Sequence, residues 1–328
     1  MTAERVPFQA PESIRLGISS CLLGQEVRFN GGHVRDDSLL TTIGQHVQWV
    51  PVCPEVEIGM GIPRENIRLV GESEAPRLIA PKSGTDYTEK MKSWSQTRLG
   101  ELERDELHGY VFKKDSPSCG LFRTKVYNGE GPASRNGRGL FASELVKRFP
   151  LLPVEEEGRL RDPKLRENFI DKVFAYHRFR GLISDNPKAK ASDLVDFHAS
   201  HKFSIMAHDP RAQKTLGQLV ANSGRVVIQD VFTEYGQLFM ETLGKISTNR
   251  KHANVLQHIM GYLKRFLDSD DKREMAEVID QYRQELIPLI VPITLLRHHL
   301  NRHPVLEWVK RQTYLNPYPQ ELMLRNHV

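Results

Sequence analysis

Short apolar runs separated by polar, glycine-bearing segments dominate the first half of the chain. Each run is rich in β-branched or aromatic residues and has the length of a buried strand. The candidate strands are residues 14–19, 47–52, 66–70, 77–80, 109–113, 122–127 and 151–154. Periodic stretches typical of helices lie between them, at residues 37–46, 87–107 and 140–149. This alternation predicts a three-layer α/β domain with a mainly parallel, Rossmann-like sheet.

Two glycine-rich stretches of this half are predicted to be loops. Residues 54–64 have glycines two apart and a closing proline, and residues 128–139 are the most glycine-dense part of the chain. Glycine and proline in such clusters usually interrupt helices and strands.

The pattern changes after residues 155–161, an acidic, glycine-containing stretch that is interpreted as a linker. Beyond it the strand patterns stop, and a Pro163 placed at a first helical turn opens a series of helices. These are predicted at residues 163–179, 191–208, 210–223, 228–245, 250–268, 271–286 and 290–302. The expected organisation is an N-terminal arm at residues 1–12, the α/β domain at 13–158 and an all-α domain at 159–328.

The composition is that of an ordinary globular protein, with 39% hydrophobic and 27% charged residues. No run approaches the roughly 18 apolar residues of a membrane span, and the N-terminus lacks the apolar core of a secretory signal. Three cysteines are too few for a disulfide framework, and their odd number leaves one unpaired. These features predict a cytoplasmic protein with no membrane association and no disulfide-linked partner.

The charge is unevenly distributed between the two halves. Residues 1–160 contain 21 Lys and Arg against 22 Asp and Glu, whereas residues 161–328 contain 25 against 19 and hold 10 of the 13 histidines. The basic second half suggests a polyanion as partner, although a merely solvated basic surface would have the same composition.

All three cysteines follow apolar runs of strand length. Cys21 comes after residues 16–19, Cys53 after 48–52 and Cys119 after 110–113, and each has a glycine or proline nearby. In a parallel sheet the carboxyl ends of neighbouring strands share one edge, which is where open α/β sheets bind their ligands. The three thiols are therefore expected to meet there.

The sequence spacing of the three cysteines limits the kinds of metal site that they could form. Gaps of 32 and 66 residues, without a fourth cysteine, do not match the close pairs of a structural zinc site. Three separate thiolates suit an iron–sulfur cluster with one iron left open, which would act as a Lewis acid for a soft atom such as sulfur. The alternative is three buried free thiols, because cysteine packs well in cores.

Three motifs together resemble the thiouracil desulfurase family. They are residues 19–24 (SSCLLG) with 27–31 (VRFNG), residues 53–55 (CPE), and residues 116–120 (SPSCG). The resemblance spans about residues 13–155. The helical half, with residues 196–202, 206–210 and 254–264, resembles the YbgA-like domain. This combination is similar to the layout of the tRNA 4-thiouridine desulfidases.

The resemblance implies a [4Fe-4S] cluster ligated by Cys21, Cys53 and Cys119, with a catalytic glutamate at Glu55 and a catalytic serine at Ser116. Glu55 could take a proton from an attacking water and return it, and Ser116 could orient the base or donate to developing charge. The structural alternatives are a surface carboxylate that caps a turn and a turn serine ahead of proline. The implied partner is tRNA that contains 4-thiouridine.

Basic residues that could contact RNA occur in both halves. Two basic, glycine-rich loops flank the predicted site and contain Arg28, Arg35, Arg135 and Arg138. In the helical half, the candidates are His198, His201, Lys202, Arg250, Lys251, His252, Tyr262 and Lys264. There are alternative interpretations. The two loops could be flexible surface loops, and the histidines could be packed in the core or, for the H-x-x-H spacing, could bind a metal.

The first functional hypothesis is therefore iron–sulfur-dependent, non-redox desulfuration of 4-thiouridine in tRNA to uridine. The second is a desulfurase of free thiouracil or a thionucleoside. The third is a non-catalytic RNA-binding adaptor whose cysteines are simply buried.

Overall fold

The computed structural model describes residues 14–128, 132–184 and 188–327. The chain divides into two compact units, which join between Asp162 and Pro163. This junction lies four residues beyond the boundary expected from the sequence. The predicted N-terminal arm, residues 1–12, lies outside the described residues.

Within its described residues, the first unit contains two four-stranded sheets and four α-helices. The strands are β1 (Ile14–Ser19), β2 (Val47–Val52), β3 (Arg68–Val70), β4 (Arg77–Ile79), β5 (Gly109–Phe112), β6 (Thr124–Tyr127), β7 (Ser134–Gly137) and β8 (Val154–Glu156). The helices are α1 (Asp37–Thr42), α2 (Pro54–Glu57), α3 (Thr88–Arg104) and α4 (Leu140–Arg148).

One sheet is entirely parallel, in the order β2-β1-β5-β8. Its central strand β5 is buried at every position, as expected for a parallel strand covered on both faces. Gly17 of β1 permits this packing, because a Cβ there would lie 2.2 Å from a ring carbon of Tyr110. The predicted parallel α/β domain is confirmed in this sheet.

The other sheet, in the order β4-β3-β6-β7, is mixed, with antiparallel pairs at β3–β4 and β6–β7. β3 and β4, at two of the predicted strands, form an antiparallel pair at one edge of this sheet. The expectation that residues 128–139 are loop throughout was wrong, because β7 lies within them. Its polar side chains are mostly exposed at the edge of the sheet, so it lacks the apolar alternation of a half-buried strand.

The predicted linker at residues 155–161 also requires correction. β8 includes Glu155 and Glu156, and both Glu156 and Glu157 are buried. Glu156 accepts hydrogen bonds from the backbone of Leu121 and Phe122, at 2.8 and 3.0 Å. Glu157 pairs with Lys113 at 2.6 Å. Because these carboxylates satisfy backbone and lysine donors inside the unit, the acidic run is structural and does not extend into solvent.

The second unit consists of helices, in agreement with the all-α prediction. They are α5 (Pro163–Ser184), α6 (Ala191–His208), α7 (Pro210–Ala221), α8 (Ile228–Leu243), α9 (Asn249–Leu263), α10 (Ser269–Arg283), α11 (Ile290–Arg302) and α12 (Glu307–Lys310). The core is continuous from α6 through α9, α10 and α11 to the C-terminal segment. Among the described residues no helix combines the length and apolar character that crossing a membrane requires.

Candidate active site

The carboxyl ends of three neighbouring parallel strands bring the three cysteines to one cavity. β1 and β2 are paired up to Ser19 and Val52, and Ile18 is opposite Val111 of β5. Cys21, Cys53 and Cys119 follow these strand ends and all line a cavity of about 340 Å³. All three are free thiols. The expected convergence of the thiols at one sheet edge is therefore observed.

Cys21 lies in a short 3-10 turn that ends at Gly24. Gly24 has φ of +93°, a left-handed conformation that glycine adopts without steric cost. The carbonyl of Cys21 accepts hydrogen bonds from Gly24 and Val34, which fixes the turn against the following loop. Cys21 is buried as a result.

Cys119 is held by the tight loop of residues 116–120. The Ser116 carbonyl accepts a 2.7 Å hydrogen bond from the amide of Gly120, and the Ser118 carbonyl accepts from the first amides of α4. Gly139 allows this close approach of α4, because a Cβ there would lie 2.5 Å from the Ser118 carbonyl carbon. The loop and the helix N-terminus therefore form one packed element.

Cys53 precedes α2, a single helical turn within the stretch predicted to be a loop. Pro54 occupies the first turn, where its missing N–H costs nothing. The backbone N–H of Cys53 donates a 2.9 Å hydrogen bond to Glu57. The loop prediction failed here because proline and glycine also occur at the two ends of a short helix. The turn places Glu55 at the cavity.

The carboxylate of Glu55 is fixed on both oxygens. Oε2 accepts from Nε and Nη2 of Arg64, at 3.0 and 2.6 Å, and Oε1 accepts a 2.6 Å hydrogen bond from the hydroxyl of Ser118. The Arg64 side chain is 4% exposed and the Glu55 side chain 16%. Arg64 also donates to the carbonyl of Val27, at 2.8 Å. Three segments of the chain thus converge on this carboxylate.

Ser116 is connected to Glu55 through Ser118. Its hydroxyl is 3.0 Å from that of Ser118, and it accepts a 3.1 Å hydrogen bond from the amide of Cys119. Arg64 and Ser118 were not identified from the sequence. The available signals were a single cation in the acidic segment 54–67 and a second serine after Pro117.

The thiols lie in a poorly solvated environment. Burial raises the pKa of Cys21 to about 11, and Cys53 adds to the shift while Lys113 and Arg28 oppose it. Burial, with the charge of Glu55, raises the pKa of Cys53. Burial, again with Glu55, also raises that of Cys119. A bound metal cation would offset the cost of ionising the buried thiols and would release their protons.

Throughout residues 14–128, 132–184 and 188–327, no three His, Cys, Asp or Glu side chains are grouped closely enough to hold one metal ion. In an iron–sulfur cluster each thiolate binds a different iron, so the thiolates need not meet at one point.

The arginines of the two basic loops have unequal positions. Arg28 lines the cavity and lies over the ring of Phe29. Arg35 pairs with Asp37 at 2.6 Å and is half exposed, as is Arg135, which lies 3.7 Å from Asp115. Arg138 is half-buried and donates to the carbonyl of Leu121. Among these four, Arg28 is the one that lines the cavity.

The histidines proposed for RNA contact in the second unit are packed. His201 is buried and its Nε2 receives a 3.1 Å hydrogen bond from Arg178. His198 is hydrogen-bonded to the hydroxyl of Tyr235, and His252 is hydrogen-bonded to the hydroxyl of Tyr314. The i, i+3 spacing of His198 and His201 suggested a surface face, but α6 is largely buried, so His201 offers no surface contact.

The remaining candidates of this unit differ in exposure. Lys202 lies over the ring of Trp308, and Tyr262 packs edge-on against the same ring. Lys251 donates to the carbonyl of His208, at 2.6 Å. Arg250 and Lys264 are exposed. These two retain free access to a partner.

Comparisons with known proteins divide the chain in the same way as the fold. Residues 16–157 match the 2-thiouracil desulfurase family, and residues 202–319 match a family described as a protein of unknown function, DUF1722. The uncharacterized protein YbgA of Escherichia coli (strain K12) is 29% identical over 161 residues, which are 49% of this chain and 94% of YbgA. The uncharacterized protein YbbK of Bacillus subtilis (strain 168) is 30% identical over 134 residues, 39% of this chain and 87% of YbbK.

A solved structure described as the [4Fe-4S]-dependent thiouracil desulfidase TudS is 28% identical to this chain. It covers 45% of this chain and 93% of its own, with a TM-score of 0.37. The family match and the two relatives agree with the three cysteine-bearing motifs and the helical second half. The chain belongs to the 2-thiouracil desulfurase family, with that domain followed by a YbgA-like domain.

Proposed function

We propose that this protein is an iron–sulfur-dependent desulfidase that converts 4-thiouridine in tRNA to uridine. The observation that carries the proposal is the position of Cys21, Cys53 and Cys119 around the cavity that also contains Glu55. Membership of the 2-thiouracil desulfurase family supports a thiolated pyrimidine as substrate.

The residues present fit a [4Fe-4S] cluster. Three free thiols from three strand ends line one cavity, and their raised pKa values mean that a cationic iron centre would compensate the cost of ionising them. Cys21, Cys53 and Cys119 would hold the cluster, with one iron lacking a protein ligand. When bound, that iron would supply Lewis acidity toward the thiocarbonyl sulfur.

Glu55 is suited to move the proton of the attacking water. Arg64 and Ser118 hold its two oxygens in one orientation, so the carboxylate needs little reorganisation during the reaction. Water adds to the ring carbon that carries sulfur, Glu55 accepts the proton, and the proton is returned when the carbon–sulfur bond breaks. Oxygen replaces sulfur, which leaves as sulfide, and no electrons are gained or lost.

Ser118 and Ser116 complete the proton-handling side of the cavity. The Ser118 hydroxyl donates to Glu55 and lies 3.0 Å from the hydroxyl of Ser116. Ser116 is half-buried, so it is the more accessible of the two to a substrate atom. We assign Ser116 to contact with the base and Ser118 to the orientation of Glu55.

Several features support tRNA as the substrate carrier. The excess of basic residues lies in the second half of the chain, and Arg250 and Lys264 are exposed there. A base that reacts within a cavity of the protein must leave its stack, which favours base flipping. The second candidate substrate is free thiouracil or its nucleoside, since the family description names the base alone.

The deciding experiment uses protein reconstituted anaerobically with iron and sulfide. Incubation with thiolated tRNA should convert 4-thiouridine to uridine, measured by nucleoside analysis, at a far higher rate than free 4-thiouridine at equal concentration. Equal or greater activity on the free nucleoside or on thiouracil would replace tRNA by the small substrate. A colourless reconstituted protein without iron would instead support the adaptor hypothesis.

Each cysteine has its own test. Cys21→Ser, Cys53→Ser and Cys119→Ser should each lose the brown colour and the activity, while circular dichroism shows retained secondary structure. A variant that keeps a full cluster would remove that cysteine from the ligand set.

A further inference from the structure

A second cavity lies entirely within the helical unit and has no role in the proposed desulfuration. It is surrounded by the first half of α5, the end of α6, the beginning of α9, the end of α10 and the C-terminal segment. Its lining includes Asp171, His208, His252, Tyr282 and Arg325. Buried ionisable groups around a cavity are typical of ligand-binding sites.

The charges of this cavity compensate one another. Arg325 pairs with Glu167 at 3.1 Å, and His327 lies 3.5 Å from the same carboxylate. His208 faces the Lys245 carbonyl with Nδ1, at 2.6 Å, so this nitrogen carries a proton, and its Nε2 lies 3.6 Å from Asp171. Lys164 also lines the cavity, so two basic side chains of fixed charge, Lys164 and Arg325, are balanced by two carboxylates, Glu167 and Asp171. A phosphate would meet two carboxylates that it must displace from their partners, which disfavours an anionic ligand.

Several hydrogen-bonding groups are nevertheless left over. Arg325 uses Nε and Nη1, but Nη2 makes no hydrogen bond to any described residue. The hydroxyl of Tyr282 also makes no hydrogen bond to any described residue. Nε2 of His252 makes none either, whereas Nδ1 of His252 is hydrogen-bonded to the hydroxyl of Tyr314. Burial lowers the pKa of His252 well below its usual range, so its ring is neutral. Hydrogen-bond donors and one acceptor, Asp171, thus coexist in a cavity where the two basic side chains of fixed charge are matched by two carboxylates.

The size of the cavity limits the ligand further. About 60 Å³ is available to atoms the size of water, and the cavity is open to solvent. At roughly 10–15 Å³ for one water-sized probe, this space accommodates a single small ring. Tyr282 and His252 lie edge to face, with ring centroids 6.2 Å apart, and provide aromatic surface for a planar ligand.

We propose that this cavity binds an uncharged heterocycle of the size of a pyrimidine base. Such a ring has carbonyl acceptors for Arg325, Tyr282 or His252 and an N–H donor for Asp171. The proposal does not depend on desulfuration, because none of these residues belongs to the first cavity. It assigns a small-molecule or single-base site to a domain whose family description gives no function.

Isothermal titration calorimetry of the full-length protein tests the proposal with uridine, uridine 5′-monophosphate and inorganic phosphate. Uridine should bind, the monophosphate should bind at least about tenfold more weakly, and phosphate should not bind. Because uridine could also enter the first cavity, the site is identified by two variants. Ile246→Trp, at an exposed position of the cavity lining, should remove one equivalent of uridine binding by filling the space.

Tyr282→Phe should weaken the same equivalent about tenfold by removing one hydrogen bond. Val195→Trp and Tyr127→Phe, which do not line the cavity, are the matched controls and should bind like the parent protein. Desulfuration of free thionucleoside should be unchanged in Ile246→Trp. Preference for phosphate or the monophosphate, no uridine binding at all, or binding undiminished in Ile246→Trp would each overturn the proposal.

Discussion

The hydroxyl of Ser118 donates a 2.6 Å hydrogen bond to Oε1 of Glu55, across 63 residues of sequence. Ser118 is fully buried beside Cys119, and Glu55 lies two residues after Cys53. One hydrogen bond therefore connects the loops that carry two of the proposed cluster ligands. Together with Arg64, it fixes the orientation of the Glu55 carboxylate at the cavity.

Loss of this hydrogen bond should reduce turnover without loss of the cluster. In Ser118→Ala the carboxylate of Glu55 keeps Arg64 but can rotate, and we expect a fall in kcat of about 10- to 100-fold. Glu55→Gln should lower kcat by about 10²- to 10⁴-fold, because the amide cannot accept the proton. Single-turnover desulfuration and the visible spectrum are measured together. Loss of colour in either variant would reassign that residue to structure.

Arg64 should matter for stability as well as for activity. Arg64→Ala leaves a buried carboxylate without its cation, which typically costs about 3–5 kcal/mol. The Arg77→Ala control removes an exposed pair with Asp86 and should cost under about 1 kcal/mol. Urea unfolding gives both values. In the double variant with Glu55→Ala part of the stability should return, and strict additivity would contradict a direct interaction.

Gly139 should be intolerant of a side chain. A Cβ at this position would lie 2.5 Å from the Ser118 carbonyl carbon and 2.8 Å from the amide of Cys119. Gly139→Ala should therefore displace the loop of residues 116–120, with a cost of about 1–3 kcal/mol and weaker cluster retention. Gly100→Ala, at an uncrowded position of α3, should stabilise the protein by up to about 1 kcal/mol. Thermal unfolding and iron content distinguish the two.

Asp209 should give the helical unit an acid-dependent contribution to stability. It accepts hydrogen bonds from the first amides of α7 and from Lys245, whose contact is the main cause of a pKa lowered to about 2. A carboxylate with a lowered pKa stabilises the fold above its unfolded value, about 3.9, and this contribution is lost as the pH falls toward 2.

Asp209→Ala should accordingly cost about 1 kcal/mol near neutral pH, and the difference from the parent should shrink below about pH 4. Glu234→Ala, at an exposed helical position, is the control and should change stability by less than about 0.5 kcal/mol. Denaturant unfolding as a function of pH measures both. A pH-independent deficit in Asp209→Ala would argue against the ionised cap.

The parallel sheet and the meeting of the thiols could be predicted because they depend on local signals. An apolar run followed by glycine or proline marks a strand end, and parallel strands bring such ends together. The contacts of Glu55 could not be predicted in the same way. Ser118 is distant in sequence, and Arg64 reaches Glu55 only because the intervening turn and loop fold back.

The exposed strand β7 and the burial of His201 in α6 were missed for a different reason. β7 is an exposed edge strand of polar residues, so its pairing with β6 has no hydrophobic signature. The histidines of α6 are spaced like a surface patch, but α6 is surrounded by α7, α8 and α9, so burial decides their role. In both cases tertiary neighbours outweighed the local pattern.

The buried pair Glu156 and Glu157 determines where the desulfurase domain can be cut. A fragment that stops at residue 154 would lack the carboxylates that satisfy the amides of Leu121 and Phe122 and the ammonium of Lys113. These partners flank the loop of Cys119, so such a shortened protein would lose order around one thiol before any substrate is added. Expression of the domain alone should therefore extend through Asp162.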